Sequence, residues 1–407
     1  MNIIIHRYNS ICEPDFIDAF KTVGIDVVED NLELNDRNVP IEKKVEVLGE
    51  MILKNKPMFV FTINFFPYIS MICDKLNVLY VCVSVDCPVA ELFSNMITNK
   101  CNRVFLFDYE QYLSVKDFNP DCIFHMPLGV NTDRIDATLG VPEWEKIVGD
   151  SEFYKYDVSF VGSLYTEKNK CAEIYSHLPD RYRGMCDGLI AAQELINGQD
   201  ILENALTEEL IAVVKCADKE FYTSEKNIKN IDDFIVVNDY LSKELTVRDR
   251  LNLMYMMSTA LTDIGKVHLF TRSDLSDLKA AEAPIVYHGG VRTLDEMPEV
   301  FRKSKINLNP TMRSIKSGLP QRVWDVLGCG GFLLTNYQQE LPEYLEIGTH
   351  LEAYESIEEA VQKAAYYLSH EDERIEIARN GYEVVKCMHT MVNRVVEILK
   401  VVLGERG

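Results

Sequence analysis

The sequence lacks most of the signatures by which a function is read at sight. No stretch reaches the ~18 consecutive apolar residues that suggest a membrane span; the most apolar segment, Met58 to Cys73, is broken by Thr62, Asn64 and Pro67. The first residues, Met1 to Arg7, form too short an apolar run for a signal peptide. The eleven cysteines include no Cys-x-x-Cys pair, and several sit inside apolar runs such as Leu79-Tyr80-Val81-Cys82-Val83. They read as reduced, buried thiols of a cytoplasmic protein, and neither a disulfide framework nor a zinc site is indicated. Positive charge is scarce: 42 Lys and Arg stand against 64 Asp and Glu, a net charge of −22. Such a surface repels phosphate backbones and anionic membranes, which argues against nucleic acid as a partner. The first strand-to-helix turn, His6 to Pro14, contains no glycine, so the dinucleotide-binding fingerprint is absent. The Walker A, His-Glu-x-x-His and Gly-x-Ser-x-Gly patterns are missing too, as is any Asp-x-Asp for a metal gripping a diphosphate.

What remains is a strong α/β pattern. A length of 407 residues allows two domains. In residues 1–150, short runs such as Ile3-Ile4-Ile5, Met58 to Thr62, Val78 to Val83, Val104 to Phe107 and Cys122 to His125 alternate with helical patterns. Continuous apolar runs of this length predict a parallel sheet covered on both faces. Functional groups then lie at the carboxyl ends of the strands, where Arg7, Tyr8, Asn9, Asn64 and Asp86 fall. A second series follows from 151 to 387, with strands predicted at Asp157 to Gly162, Val267 to Thr271, Ile285 to Tyr287, Ile306 to Leu308 and Phe332 to Thr335. Residues 184–264 are helical and acidic without a convincing strand, and read as an insertion. An amphipathic helix closes the chain within 388–407.

The most informative window runs from Phe301 to Trp324. It holds Arg302, Lys303, Lys305, Arg313, Lys316 and Arg322 and no Asp or Glu. Within it a strand leads through a loop to Ser317-Gly318-Leu319-Pro320, which opens a helix, since proline suits the first helical position. A helix N-terminus offers free N–H groups to an anion, phosphate above all. Arg322 lies in that first turn and Asp325 three residues on, on the same face, where a carboxylate can accept from two ribose hydroxyls. The alternative is a solvated basic face with a weak surface ion pair. Gly162-Ser163 is either a phosphate-approach turn or an ordinary one. Asp86 is either a site carboxylate or an N-cap, and Asn64 has the same two readings. His125 packs at a strand end. His6, in the first turn, is a candidate catalytic group.

Four segments together carry a resemblance: Tyr156 to Leu164, Ser304 to Asn309, Ser317 to Asp325 and Gly328 to Thr335. They resemble the bacterial glycosyltransferases related to the spore maturation protein CgeB, a branch similar to the family 1 and family 4 glycosyltransferases of the GT-B fold. The resemblance implies two Rossmann-like, doubly wound domains facing a cleft: an acceptor-side domain, 1–150, and a nucleotide-sugar domain, 151–387, carrying the helical insertion. It implies that the final helix crosses back to the first domain. Asp325 stands where relatives usually carry a ribose-binding glutamate. Gly162, Ser163 and Lys168 match the turn that holds the diphosphate, with Ser163 in place of an arginine; Arg322 or Arg313 is then the substitute charge. Ser317, eight residues before Asp325, stands where the first glutamate of a paired motif is expected.

The implied activity is transfer of a sugar from a nucleoside diphosphate, most naturally UDP, to a glycan, protein or small molecule. Configuration is retained, the departing phosphate takes the acceptor proton, and no metal or other cofactor is required. Lys168, Arg313, Arg322 and the helix start at Gly318–Gln321 stabilise the leaving group, with Ser317 and Gly318 among the diphosphate-binding residues; Asp86 and His6 are the catalytic candidates, and Asn9 and Asn64 lie on the acceptor or sugar side. An epimerase or phosphorylase of the same fold, and a non-catalytic nucleotide-sugar-binding partner subunit, are the competing readings.

Overall fold

A computed structural model describes residues 1–150 and 152–404. The chain divides into two compact units. The first comprises Met1–Asn131, Ser224–Asn230 and the segment from Met388; the second comprises Thr132–Thr223 and Ile231–Cys387.

The first unit is built on strands β1 (Asn2–His6), β2 (Asp26–Asp30), β3 (Phe59–Ile63), β4 (Leu79–Ser84), β5 (Asn102–Leu106) and β6 (Ile123–His125). They form one sheet in the order β2-β1-β3-β4-β5-β6, with every pairing parallel. Burial explains the sequence pattern. All five residues of β3 are buried, because helices cover both faces, so the strand reads as an unbroken apolar run. The closing helix Met391–Val402 lies on the first helix, Glu13–Thr22. Backbone bonds join its approach to Val130, which donates to the His389 carbonyl (3.1 Å) and accepts from Met391 N–H (2.9 Å). The Ser224–Asn230 segment pairs with the 95 region in the same way: Asn95 N–H donates to Lys226 O at 2.9 Å and Ile228 N–H to Phe93 O at 2.8 Å.

The second unit holds β7 (Tyr156–Val161), β8 (Val267–Phe270), β9 (Ile285–Tyr287), β10 (Ser304–Asn309), β11 (Leu333–Asn336) and β12 (Glu352–Tyr354). Their order is β12-β11-β10-β7-β8-β9, again all parallel. Strand order reverses between β7 and β10, which is where open α/β sheets bind ligands. The short β12 carries no apolar run long enough to be read in the sequence. Between β7 and β8, residues 180–260 contain helices and, among the described residues, no strand. These helices bury a core of their own, including Cys186, Ile190, Leu210, Val237 and Leu245. The last of them, Ser242–Ala260, serves two cores: Leu245 belongs to the helical pack, whereas Leu253, Met254 and Met257 pack under the sheet. With apolar contacts changing face along its length, it shows little of the one-sided periodicity that marks a surface helix.

One close approach is sharply testable. A Cβ on Gly129 would lie 2.9 Å from the His389 carbonyl oxygen and 3.0 Å from that of Thr390. Both are backbone atoms that cannot swing away. Gly129→Ala is expected to lower stability by about 1–3 kcal/mol, as overpacking does, read from urea unfolding; an unchanged midpoint contradicts the contact.

Candidate functional site

At the carboxyl end of β7, Gly162 N–H donates to Phe270 O at 3.0 Å, and the chain turns sharply. Ser163 organises that turn. Its hydroxyl donates to Glu167 (2.7 Å) and accepts from Tyr165 N–H (2.8 Å), while Ser273 Oγ accepts from Leu164 N–H (2.8 Å). Tyr165 is held at φ +67°, a left-handed conformation that a bulky residue adopts only under constraint. Lys168 follows, exposed, its ammonium 5.2 Å from the Tyr165 ring centre.

Across the strand-order reversal, the loop after β10 leads to the helix Gln321–Gly328, with Pro320 at its N-cap. Arg322 lies in its first turn. Among the described residues no carboxylate stands within ion-pair distance of it; its guanidinium lies 5.0 Å from the Phe301 ring and meets Met297 Sδ. Burial lowers the pKa of Arg322, with Asp325 opposing. Its positive charge is thus poorly compensated. Asp325, one turn along, accepts from Gln321 Nε2 at 2.9 Å.

The other cations of the acid-free window are placed differently. Arg313 forms an ion pair with Asp249 and donates to Ile196 O at 2.8 Å; it lines a cavity of about 250 Å³ together with Glu194, Asp249 and Glu355. Lys316 pairs with Asp200 and Glu203, and Lys305 with Asp157. Arg302 bonds the carbonyls of Cys329, Leu139 and Gly140. The window is basic in sequence because its carboxylate partners are supplied from elsewhere, many by the acidic helical insertion. Lys303 turns to the Phe153 ring, its ammonium 3.5 Å from the ring centre, so the expectation of one basic pocket is narrowed to Arg322. Ser317 is buried with its hydroxyl on Glu340 (2.7 Å), and the Gly318 carbonyl accepts from Gln338 (3.3 Å). Both thus anchor the loop before the helix.

A residue not singled out in the sequence joins this group. Arg250, on the helix Ser242–Ala260, is buried and donates to the carbonyl of Ser163 and, at 2.8 Å, to that of Pro310. Its guanidinium lies 4.8 Å from the Tyr165 ring centre. No sequence signal isolates it, because it lies in the segment read as an insertion.

In the first unit, the strand ends gather Tyr8, Asn64 and Asp86. Asn64, at φ +58°, donates to Asp86 Oδ2 (2.6 Å) and Tyr8 OH (3.2 Å) and accepts from Val85 N–H (3.0 Å). Asp86 is exposed and is not an N-cap: the next helical turn, Ala90–Phe93, is capped by Val89. Asn9, at φ +72°, is exposed at the end of β1. His6 points elsewhere. It is buried, with Nδ1 on Asp30 (2.8 Å) and Nε2 facing Glu33 (3.3 Å) and Tyr68 OH (3.2 Å), and Lys44 pairs with Glu33 on the far side. Both ring nitrogens are engaged within this network. His125 packs against Tyr109 and Tyr112.

The fold is that of the GT-B glycosyltransferases. A glycosyltransferase from Rickettsia africae superposes with a TM-score of 0.53 at 13% identity, covering 99% of this chain and 98% of that one. Sucrose-phosphate synthase from Thermosynechococcus elongatus superposes with 0.55 at 8% identity over 100% of both chains. Anabaena HepE in complex with UDP and glucose superposes with 0.50 at 10% identity, covering 98% and 99%. More particularly, residues 260–400 match the family described as glycosyl transferase-like. No curated protein matches the chain. Among the described residues no helix is long and apolar enough to cross a membrane.

The His6 network sets a pH dependence. Although burial opposes it, Asp30 and Glu33 hold the His6 pKa above 6.5, and His6 and Lys44 hold Glu33 down at about 2. The histidine contribution is full below pH 6.5 and is lost as pH rises through the folded value; the Glu33 contribution is full above pH 4.5 and is lost on acidification toward 2. His6→Gln is therefore expected to cost more stability at pH 6 than at pH 9 in urea unfolding. An equal cost at both would show that the ring is neutral.

Proposed function

We propose that this protein is a glycosyltransferase that takes a sugar from a nucleoside diphosphate and passes it to an acceptor hydroxyl. The observation that carries the reading is the convergence of Arg322, Arg250, Lys168 and a helix N-terminus on the strand-order reversal of a GT-B nucleotide-side sheet. This is an arrangement for a diphosphate. Among the described residues both guanidiniums lack a carboxylate ion-pair partner, and burial destabilises their charged forms, so an incoming anion is attracted strongly. The HepE structures hold UDP and UDP-glucose, which supports UDP as the nucleotide.

In this reading Gly162 and Ser163 line the diphosphate and Asp325 receives the ribose hydroxyls. As the bond from the anomeric carbon to the phosphate oxygen lengthens, negative charge grows on the phosphate, and Arg322 and Lys168 stabilise it without a metal. The leaving phosphate takes the acceptor proton, and configuration is retained. Arg313, neutralised by Asp249, is left out of this set, and so is His6. The exposed Asp86, held by Asn64 and near Tyr8, is assigned with Asn9 and Asn64 to binding the acceptor, a glycan, protein or small molecule.

The test is a thermal-shift panel of UDP, GDP, ADP and their sugar conjugates, with EDTA or magnesium, followed by assay of nucleotide release. Stabilisation by one nucleotide regardless of EDTA is expected. Arg322→Ala should lower kcat by about 10²–10³-fold, or about 2.7–4 kcal/mol of barrier, and Asp325→Asn should weaken binding. No response to any nucleotide overturns the reading. Binding without turnover across an acceptor panel identifies a non-catalytic binder, and acceptor-free conversion of the sugar an epimerase.

A further inference from the structure

Ser163 leaves a gap in the diphosphate turn. A serine brings no charge there, and its hydroxyl is already spent on Glu167 and Tyr165 N–H. The structure shows what stands beneath that turn. Arg250 is only 8% exposed, yet it has no ion-pair partner among the described residues: the neighbouring Asp249 is taken by Arg313. Two of its nitrogens bond the carbonyls of Ser163 and Pro310, which follow β7 and β10, the two strands that flank the reversal. Its Nε is buried without a hydrogen-bond partner. The guanidinium packs between the Tyr165 ring at 4.8 Å and the Phe160 ring at 5.5 Å, and Lys168 approaches the same tyrosine at 5.2 Å. Burying an arginine without a carboxylate is costly, and removing a neighbouring anion from such a group is costly too. Beyond the two carbonyl bonds, a site that keeps one there gains from its charge when negative charge arrives nearby.

We propose that Arg250, lent by the helical insertion, is the positioning residue of the diphosphate site: it ties the Ser163 and Pro310 loops together across the reversal and supplies the positive charge that Ser163 does not. The inference rests on the nucleotide-sugar reading above. It makes the insertion part of the donor site, although Arg250 lies outside the 260–400 segment that matches the family. Consistent with a shared anion, Arg250 feels the field of Arg322. Tyr165, strained at φ +67°, is the spacer that sets the guanidinium and the Lys168 ammonium on its ring.

The test compares whichever of UDP, GDP or ADP stabilises the wild type most with its parent nucleoside, by calorimetry on the full chain. Arg250→Gln is expected to weaken the diphosphate at least tenfold and leave the nucleoside unchanged. Arg250→Lys keeps the charge but cannot bond both carbonyls, and is expected to fall between. Equal affinity for the diphosphate in wild type and Arg250→Gln overturns the proposal. So does an equal loss for diphosphate and nucleoside, which would make Arg250 merely structural. Should Arg250→Gln not fold, Arg250→Lys decides by the same two comparisons. If the wild type binds no nucleotide, the glycosyltransferase reading itself fails, an outcome distinct from either.

Discussion

One guanidinium holding two backbone carbonyls organises the second unit. The strands β7 and β10 are neighbours, but the chain leaves them in opposite directions, so their following loops have no ladder in common. Arg250 replaces that ladder with a pair of charge-assisted bonds to Ser163 and Pro310. The Gly162 turn, the helix start after Pro320 and the Tyr165 ring all take their places around it. Because Arg250 sits where the helix Ser242–Ala260 passes from one core to the other, the geometry of the turn after β7 is coupled to the packing of a segment that looks peripheral in the sequence.

The architecture was legible because the physics behind it is local. Strands buried on both faces become apolar runs, as in Phe59–Ile63, and a helix such as Gln321–Gly328 announces itself by the proline before it. Arg322 and Asp325 could be read for the same reason, since their relation is fixed by helical spacing. Charge compensation is not local, and there the reading failed. Arg313 and Lys316 look free across twenty-four acid-free residues, but their partners Asp249, Asp200 and Glu203 lie 64 to 116 positions away in sequence. Arg250 was hidden for the converse reason. It stands in an acidic, helical stretch beside Asp249, where nothing in the order of residues tells which of the two neighbours is paired. Asp86 and His6 show the same divide: their partners Asn64, Asp30 and Glu33 are brought to them by the tertiary fold and not by the neighbouring sequence.

The two units also illustrate different uses of polar burial. In the first, His6, Asp30, Glu33, Tyr68 and Lys44 satisfy one another and fix the ends of β1 and β2. Such a closed network rigidifies without inviting a ligand. In the second, the positive groups at the reversal are held in place by carbonyls and rings, which orient a cation without cancelling its charge. Position and neutrality are thereby separated, as a preorganised anion site requires.

The segment Ser224–Asn230 has one further consequence. It counts among the residues of the first unit although the chain on either side of it belongs to the second, so the polypeptide passes between units four times. Neither unit corresponds to a single uninterrupted stretch of the gene. A fragment ended at Asn131 would lack both the 224–230 pairing on Phe93 and Asn95 and the closing helix on Glu13–Thr22. The protein is in this sense two folds woven from one thread, to be expressed, shuffled or truncated as a whole.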